Sequence, residues 1–294
     1  MSAGDPSFEE ALVDLPRFLL ALEPYLDQLV LCGGWVPYFY RRLPGLSQPA
    51  HGPLLSHDFD VVAPLELQER GGTTLHARLM ERDFVTIRGR ATEVVFYQHA
   101  RWGNADLAPV YGEFLTPLIG GETDRSGNAR VLHAVQRSVT AQLLRYLDLL
   151  LHEPLGIRAR EVFGSDLPSD PVVRVPNPAT YMLQKAVALD KRRGEKRAKD
   201  LAYVFEVAAL WTHETQRVRE MFELVAAESA EWRRWLRRGR AVLREAFSSE
   251  HAEGPVSAER VFAPTVEGHR VTARAAAVVT SGFLASVLDA ADGN

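Results

Sequence analysis

Two short stretches, Leu31-Cys32-Gly33-Gly34-Trp35 and Ser56-His57-Asp58-Phe59-Asp60-Val61-Val62, decide how this chain is read. In a strand over residues 58–62 the side chains alternate between faces. Asp58 and Asp60 then project together, while Phe59 and Val61 enter a core. Two carboxylates on one face suit Mg²⁺, which takes hard oxygen ligands, keeps several waters and is commonly completed by substrate phosphates. The Gly33-Gly34 step would cradle those phosphates.

Working outward, the pattern predicts an α/β (α+β) fold with a mixed-sheet core and a helical C-terminal half. The run Leu29–Cys32 is a strand, Gly33-Gly34 a turn and Trp35–Arg42 a helix. Residues 44–56, rich in Pro, Gly and Ser, form a loop, and Phe59–Ala63 the next strand. Upstream, a helical segment from Ser7 to Leu26 is expected in pieces, interrupted at Pro16 and Pro24. Downstream, Leu75–Arg82 has helical spacing. Phe84–Ile87 and Glu93–Tyr97 are strands joined by Arg88-Gly89-Arg90, and Tyr111–Leu115 is a strand closed by Pro117. Val139–Leu151 fits strand or helix equally. Asn177-Pro178 is a helix start, followed by helices on either side of Gly194, a helix over Val218–Phe247, a link over Ser248–His269 and a helix over Ala273–Ala291. The expected domains are a core over residues 1–172 and a helical domain over 173–294.

Composition bounds the function. The 294 residues are 46% hydrophobic and 24% charged, ordinary for a globular chain of one or two domains. A formal charge of -4 carries no global nucleic-acid signature, so any polyanion contact must come from local clusters. The single cysteine, Cys32, excludes an intrachain disulfide and fits a reducing compartment. The opening Met1-Ser2-Ala3-Gly4-Asp5-Pro6 lacks a basic region before a long apolar run, and no later run is long enough for a membrane span. A cytoplasmic location without membrane association is therefore expected. Nine histidines without paired metal-ligand spacing argue against zinc, and neither a nucleophile-elbow nor a P-loop motif is present.

In-line attack on an α-phosphate needs charge neutralised on the leaving pyrophosphate, a task for metal held by shared carboxylates. Two aspartates rarely suffice. Glu113, in the apolar strand beside Phe114, is the candidate third ligand, with Glu93 its competitor. A second constellation runs from Lys185 to Leu201. Lys185 emerges among Leu183, Ala186 and Val187, where an anion would satisfy it, and Asp200 could orient it or make an ordinary salt bridge. Lys191, Arg192, Arg193, Lys196 and Arg197 form either an RNA-binding cluster or a solvated face. The stretch Trp232-Arg233-Arg234-Trp235-Leu236-Arg237-Arg238-Gly239-Arg240 places its tryptophans in the packed stripe of a helix and leaves its arginines open to RNA.

These motifs resemble the nucleotidyltransferases of the DNA polymerase β superfamily, and within it the AbiEii-like group that includes the MenT-type toxins of toxin–antitoxin systems. Gly33-Gly34 matches the group's turn, Ser56, Asp58 and Asp60 its Ser/Thr-x-Asp-x-Asp motif, and Lys185 with Lys199-Asp200 its helical lysine and Lys-Asp pair. A Pro-rich insertion over residues 44–53 departs from that pattern. The resemblance implies Mg²⁺-dependent transfer of a nucleoside monophosphate from an NTP to an acceptor hydroxyl. For the MenT-type members the acceptor is the tRNA 3′ end, and a cognate antitoxin is a possible partner. Asp58 and Asp60 would hold metal, Gly33, Gly34 and Ser56 the triphosphate, and Lys185 a phosphate, with Asp200 completing the site. The competing expectations are transfer to a small molecule or protein, and a non-catalytic nucleotide-binding module.

Overall fold

The opening helix, α1 (Pro6–Leu22), runs unbroken past Pro16 and gives way to a 3₁₀ turn over Glu23–Tyr25. A mid-helix proline removes a hydrogen bond and costs about 3 kcal/mol. Against that, α1 buries Leu15, Phe18, Leu19 and Leu22 almost completely, each contributing about 1.5–3 kcal/mol. Burial wins, and the break expected at Pro16 does not occur. This is a computed structural model that describes residues 6–54, 56–88, 94–103, 108–123, 126–262 and 268–288.

After α1 come β1 (Val30–Leu31), a 3₁₀ turn over Gly33–Trp35, α2 (Val36–Tyr40) and β2 (Asp58–Val62). Then follow α3 (Leu75–Glu81), capped by the Thr74 hydroxyl, β3 (Phe84–Arg88), β4 (Val95–His99) and β5 (Tyr111–Pro117). The strand thus continues through Pro117, where it was expected to stop. The connection between β3 and β4 and the expected strand position of Glu93 lie outside the described residues. The ambiguous 139–151 segment divides. After β6 (Leu132–Gln136) it supplies β7 (Val139–Leu144), with alternating burial, and then the short α4 (Asp148–Leu151). The hairpin of β8 (Leu155–Arg158) and β9 (Val172–Val175) flanks α5 (Ala159–Phe163).

β1 to β7 form one mixed sheet ordered β1-β2-β5-β4-β3, with β7 also on β5 and β6 on β7. β5 is its spine, parallel to β2 on one side and bordered on the other by antiparallel β4 and then parallel β7. Phe18 of α1 packs on the sheet within 5.5–6.2 Å of the rings of Phe59, Phe84 and Phe114. Its ring crosses β5 so closely that a Cβ on Gly112 would lie 2.5 Å from it, so a larger residue there would have to displace the ring.

The helical half holds α6 (Pro178–Ala188), α7 (Gly194–Leu210), α8 (Thr215–Glu228), α9 (Ala230–Ala246), α10 (Glu253–Val261) and α11 (Ala273–Leu288). Asn177 caps α6 as its sequence suggests, accepting from the Thr180 amide at 3.0 Å. The single helix expected over Val218–Phe247 is two, because extended Ser229 turns its hydroxyl onto the Trp232 amide and caps α9. The link over Ser248–His269 contains α10. On α9 Leu236, Gly239 and Leu243 are buried, whereas Trp232 and Trp235 are half-buried and stack with centroids 6.0 Å apart. Among the described residues, 6–36 and 56–176 pack as a sheet unit and 37–54 with 177–288 as a helical unit. The Pro-rich stretch over 44–53 thus belongs with the helices. No helix among the described residues is long and apolar enough to cross a membrane.

Candidate active site

In the sheet unit the site is built on the end of β1 and the start of β2. β1 runs antiparallel to β2, and the Cys32 amide donates to the Asp60 carbonyl at 2.8 Å, folding the glycine turn back over the aspartate strand. Gly33 has φ +69°, in the left-handed region that glycine alone enters without strain. A Cβ there would also overlap the Asp60 carboxylate. Gly34 and Trp35 behind it are buried.

β2 alternates as its sequence demands. Phe59 and Val61 are 1% exposed on the core side, and Asp58 and Asp60 are half-buried on the other. Parallel pairing sets Asp58 beside Tyr111 and Asp60 beside Glu113. Residues opposed in a ladder project from the same face, so the third carboxylate joins the first two. One ligand oxygen from each of Asp58, Asp60 and Glu113 lies within 4.8 Å of the others. Three hard oxygen donors at this spacing fit a divalent cation such as Mg²⁺. The Ser56 hydroxyl donates to Asp58 Oδ1. Burial first, then the charges of Asp58, Glu113 and Asp60, push the Tyr111 phenol far above its ordinary range, so it stays protonated beside them.

In the helical unit, α6 and α7 bring Lys185 and Asp200 together. Lys185 Nζ donates to Asp200 Oδ1 at 2.7 Å, and both residues are buried. Arg192 Nε lies 3.2 Å from Asp200 Oδ2, close enough for charge pairing though out of line for a hydrogen bond. The rings of Tyr181 and Tyr203 sit 5.4 and 5.3 Å from the Lys185 ammonium. Anion and π faces together offset its desolvation.

The basic cluster is not uniform. Arg197 makes two hydrogen bonds to Glu253 and a third to the Leu189 carbonyl, and Arg192 turns to Asp200. Arg193 bonds the Asp190 and Arg192 carbonyls while remaining exposed. Lys191 and Lys196 are exposed.

A buried charge that the sequence reading passed over lies on the same helix as Asp200. Glu206 is fully buried and accepts two hydrogen bonds from Arg41, at 2.8 and 3.1 Å, and one from the Leu54 amide at 3.4 Å. Arg41 Nη2 also lies 3.2 Å from His51 Nδ1. Burial raises the Glu206 carboxyl to about 7 despite Arg41. Burial lowers His51 to about 4, with Arg41 contributing. The signal was present: Glu206 is the sole charge in Leu201–Leu210, and a lone charge in an apolar helical run needs a partner.

No curated protein matches the chain. A family model described as nucleotidyltransferase matches residues 13–223, a span that holds the glycine turn, the three clustered carboxylates and the Lys185–Asp200 pair, and the chain belongs to that nucleotidyltransferase family.

Proposed function

We propose that this nucleotidyltransferase moves a nucleoside monophosphate from an NTP to the 3′ hydroxyl of tRNA, with Mg²⁺ held by Asp58, Asp60 and Glu113. The observation that carries the proposal is the convergence of those three carboxylates within 4.8 Å on one face of the sheet. When bound, Mg²⁺ supplies charge neutralisation at the phosphates and lowers the pKa of the attacking hydroxyl. The acceptor hydroxyl gives up its proton to water as its oxygen attacks the α-phosphorus, the bond from that phosphorus to the bridging oxygen breaks, and pyrophosphate leaves with the electron pair. Gly33 and Gly34 admit the triphosphate to the backbone, and Ser56 contacts it while holding Asp58. Lys185 binds a phosphate and Asp200 orients the lysine.

The RNA acceptor is favoured by cations that remain at the surface of a chain whose net charge is negative. Lys191, Arg193 and Lys196 are exposed around the start of α7, with Arg192 and Arg197 beside them at the Asp200 and Glu253 carboxylates. Arg234 and Arg237 are exposed on α9. Such clusters suit a phosphate backbone. The resemblance to MenT-type enzymes narrows the acceptor to the tRNA 3′ end and the role to the toxin of a toxin–antitoxin pair.

The test is incubation of purified protein with Mg²⁺, total tRNA and each α-labelled NTP in turn, with products resolved on denaturing gels. Label on tRNA that disappears in Asp60→Asn supports the proposal and identifies the donor base. Label on protein alone, or on neither, rejects the tRNA acceptor.

A further inference from the structure

We infer that the Arg41–Glu206 ion pair is a positioning device for the nucleotide site, fixing both ends of the connector between the glycine turn and the aspartate strand. This rests on the proposed reading of Gly33, Gly34, Ser56, Asp58 and Asp60 as that site. The connector, residues 37–54, leaves the sheet unit directly after Trp35-Val36 and returns to it just before Ser56. Glu206 holds it near its start and at its end, Oε1 taking the Arg41 guanidinium and Oε2 the amide of Leu54, its last residue.

The rest of the connector is fastened to the same helices. Tyr40 meets Trp211 edge-on at 5.4 Å, and the Ser47 amide donates to the Leu210 carbonyl at 2.9 Å. The His51 ring lies 5.4 Å from Phe205 and 4.4 Å from Phe262. A 3.0 Å bond from Gln48 Nε2 to the Arg41 carbonyl closes the connector on itself. Glu206 stands six residues beyond Asp200 on α7, so the helix that orients Lys185 also anchors the chain from which Gly34 and Ser56 depart.

Energetics favour a positioning role over a stabilising one. A fully buried carboxylate that burial pushes to about 7 is charged at a cost, and buried ion pairs are often matched or bettered by apolar replacements of similar volume. Such a pair contributes geometry, since a carboxylate with three donors aimed at it tolerates little displacement.

The test uses the full chain. The double variant Arg41→Met/Glu206→Met removes both charges and keeps the volume, so its Tm should equal or exceed that of wild type. Its kcat/KM for the NTP should fall on the order of 10- to 100-fold, mostly through KM, because small misplacements of binding groups cost that much. Hydrogen exchange over residues 29–36 and 56–62 should rise. Arg41→Lys, which keeps the charge, should fall between the two. Wild-type kinetics and exchange in a folded double variant overturn the inference. Should the double variant fail to fold, Glu206→Gln is compared with Arg41→Lys, and unaltered KM in both overturns it. A wild-type protein that uses no NTP defeats the functional reading instead, and the exchange data still decide whether the pair orders the two segments.

Discussion

Asp60 and Glu113 face each other across the parallel pairing of β2 and β5, and Asp58 completes their cluster two residues away on β2. Three carboxylates this close repel when nothing cationic lies between them. Neutralising one should therefore stabilise the metal-free protein while removing a ligand. Asp60→Asn and Glu113→Gln should each raise Tm in EDTA and lower transfer on the order of 10²–10⁴-fold in Mg²⁺, the kinetic equivalent of several kcal/mol of lost charge stabilisation. Thermal unfolding with and without Mg²⁺, beside initial rates, reads both effects. Full activity in either variant removes that residue from the metal site.

Gly33 couples the turn to the same cluster. With φ +69° and Asp60 where a Cβ would go, Gly33→Ala should cost about 1–3 kcal/mol from backbone strain. The overlap adds to it and displaces a proposed metal ligand. Urea unfolding should show the loss, and NTP turnover at a temperature where the variant is fully folded should fall further than stability alone accounts for. Equal stability and turnover would mean that the turn shifts freely and holds neither carboxylate nor phosphate.

The Lys185–Asp200 pair separates binding from folding. Removing one partner of a buried pair leaves an uncompensated charge, typically costing about 3–5 kcal/mol. Asp200→Ala, which strands Lys185 among Tyr181 and Tyr203, should approach that range. Lys185→Ala should cost less, since Arg192 still faces Asp200 at 3.2 Å. If the lysine binds phosphate as proposed, Lys185→Ala raises the NTP KM by far more than its loss of stability implies. Chemical denaturation and steady-state kinetics on both variants check the ordering. An unchanged KM in Lys185→Ala rules out phosphate binding.

Much of this was legible in the sequence because local chemistry and fold agree. Alternation of Asp58-Phe59-Asp60-Val61 declared a strand with two outward carboxylates, and Asn177-Pro178 declared a helix start. Glu113 could be nominated as a carboxylate in an apolar strand. Its place opposite Asp60 depends on parallel register, which strands distant in sequence do not encode locally. Pro16 misled because α1 is held by tertiary burial that no helix propensity contains. Ser229 was hidden in a helical pattern that continues on both sides of it. The connector was the largest miss. Its Pro, Gly and Ser content announced a loop, and nothing local announced that Arg41 and Leu54 would meet a glutamate more than 150 residues away.

Glu206 and His51 should be visible in the pH dependence of stability, with opposite signs. Glu206 has its folded pKa raised from 4.5 to about 7. The folded state therefore holds the extra proton, and this contribution is complete below pH 4.5 and lost as pH rises through 7. His51 has its folded pKa lowered from 6.5 to about 4. Here the unfolded state binds the extra proton, so the contribution is complete above pH 6.5 and lost as pH falls towards 4. Between pH 4.5 and 6.5 the two slopes, each up to about 1.4 kcal/mol per pH unit, oppose one another and wild-type stability should change little. Substitution unmasks them. Glu206→Gln leaves the histidine, and its own stability should climb from pH 4 to 6.5. His51→Asn leaves the glutamate, and its own stability should decline from pH 4.5 to 7. Urea midpoints across that range measure both. If the two variants run parallel to wild type throughout, neither group titrates differently in the folded protein, and the Arg41–Glu206 pair is charged at no cost.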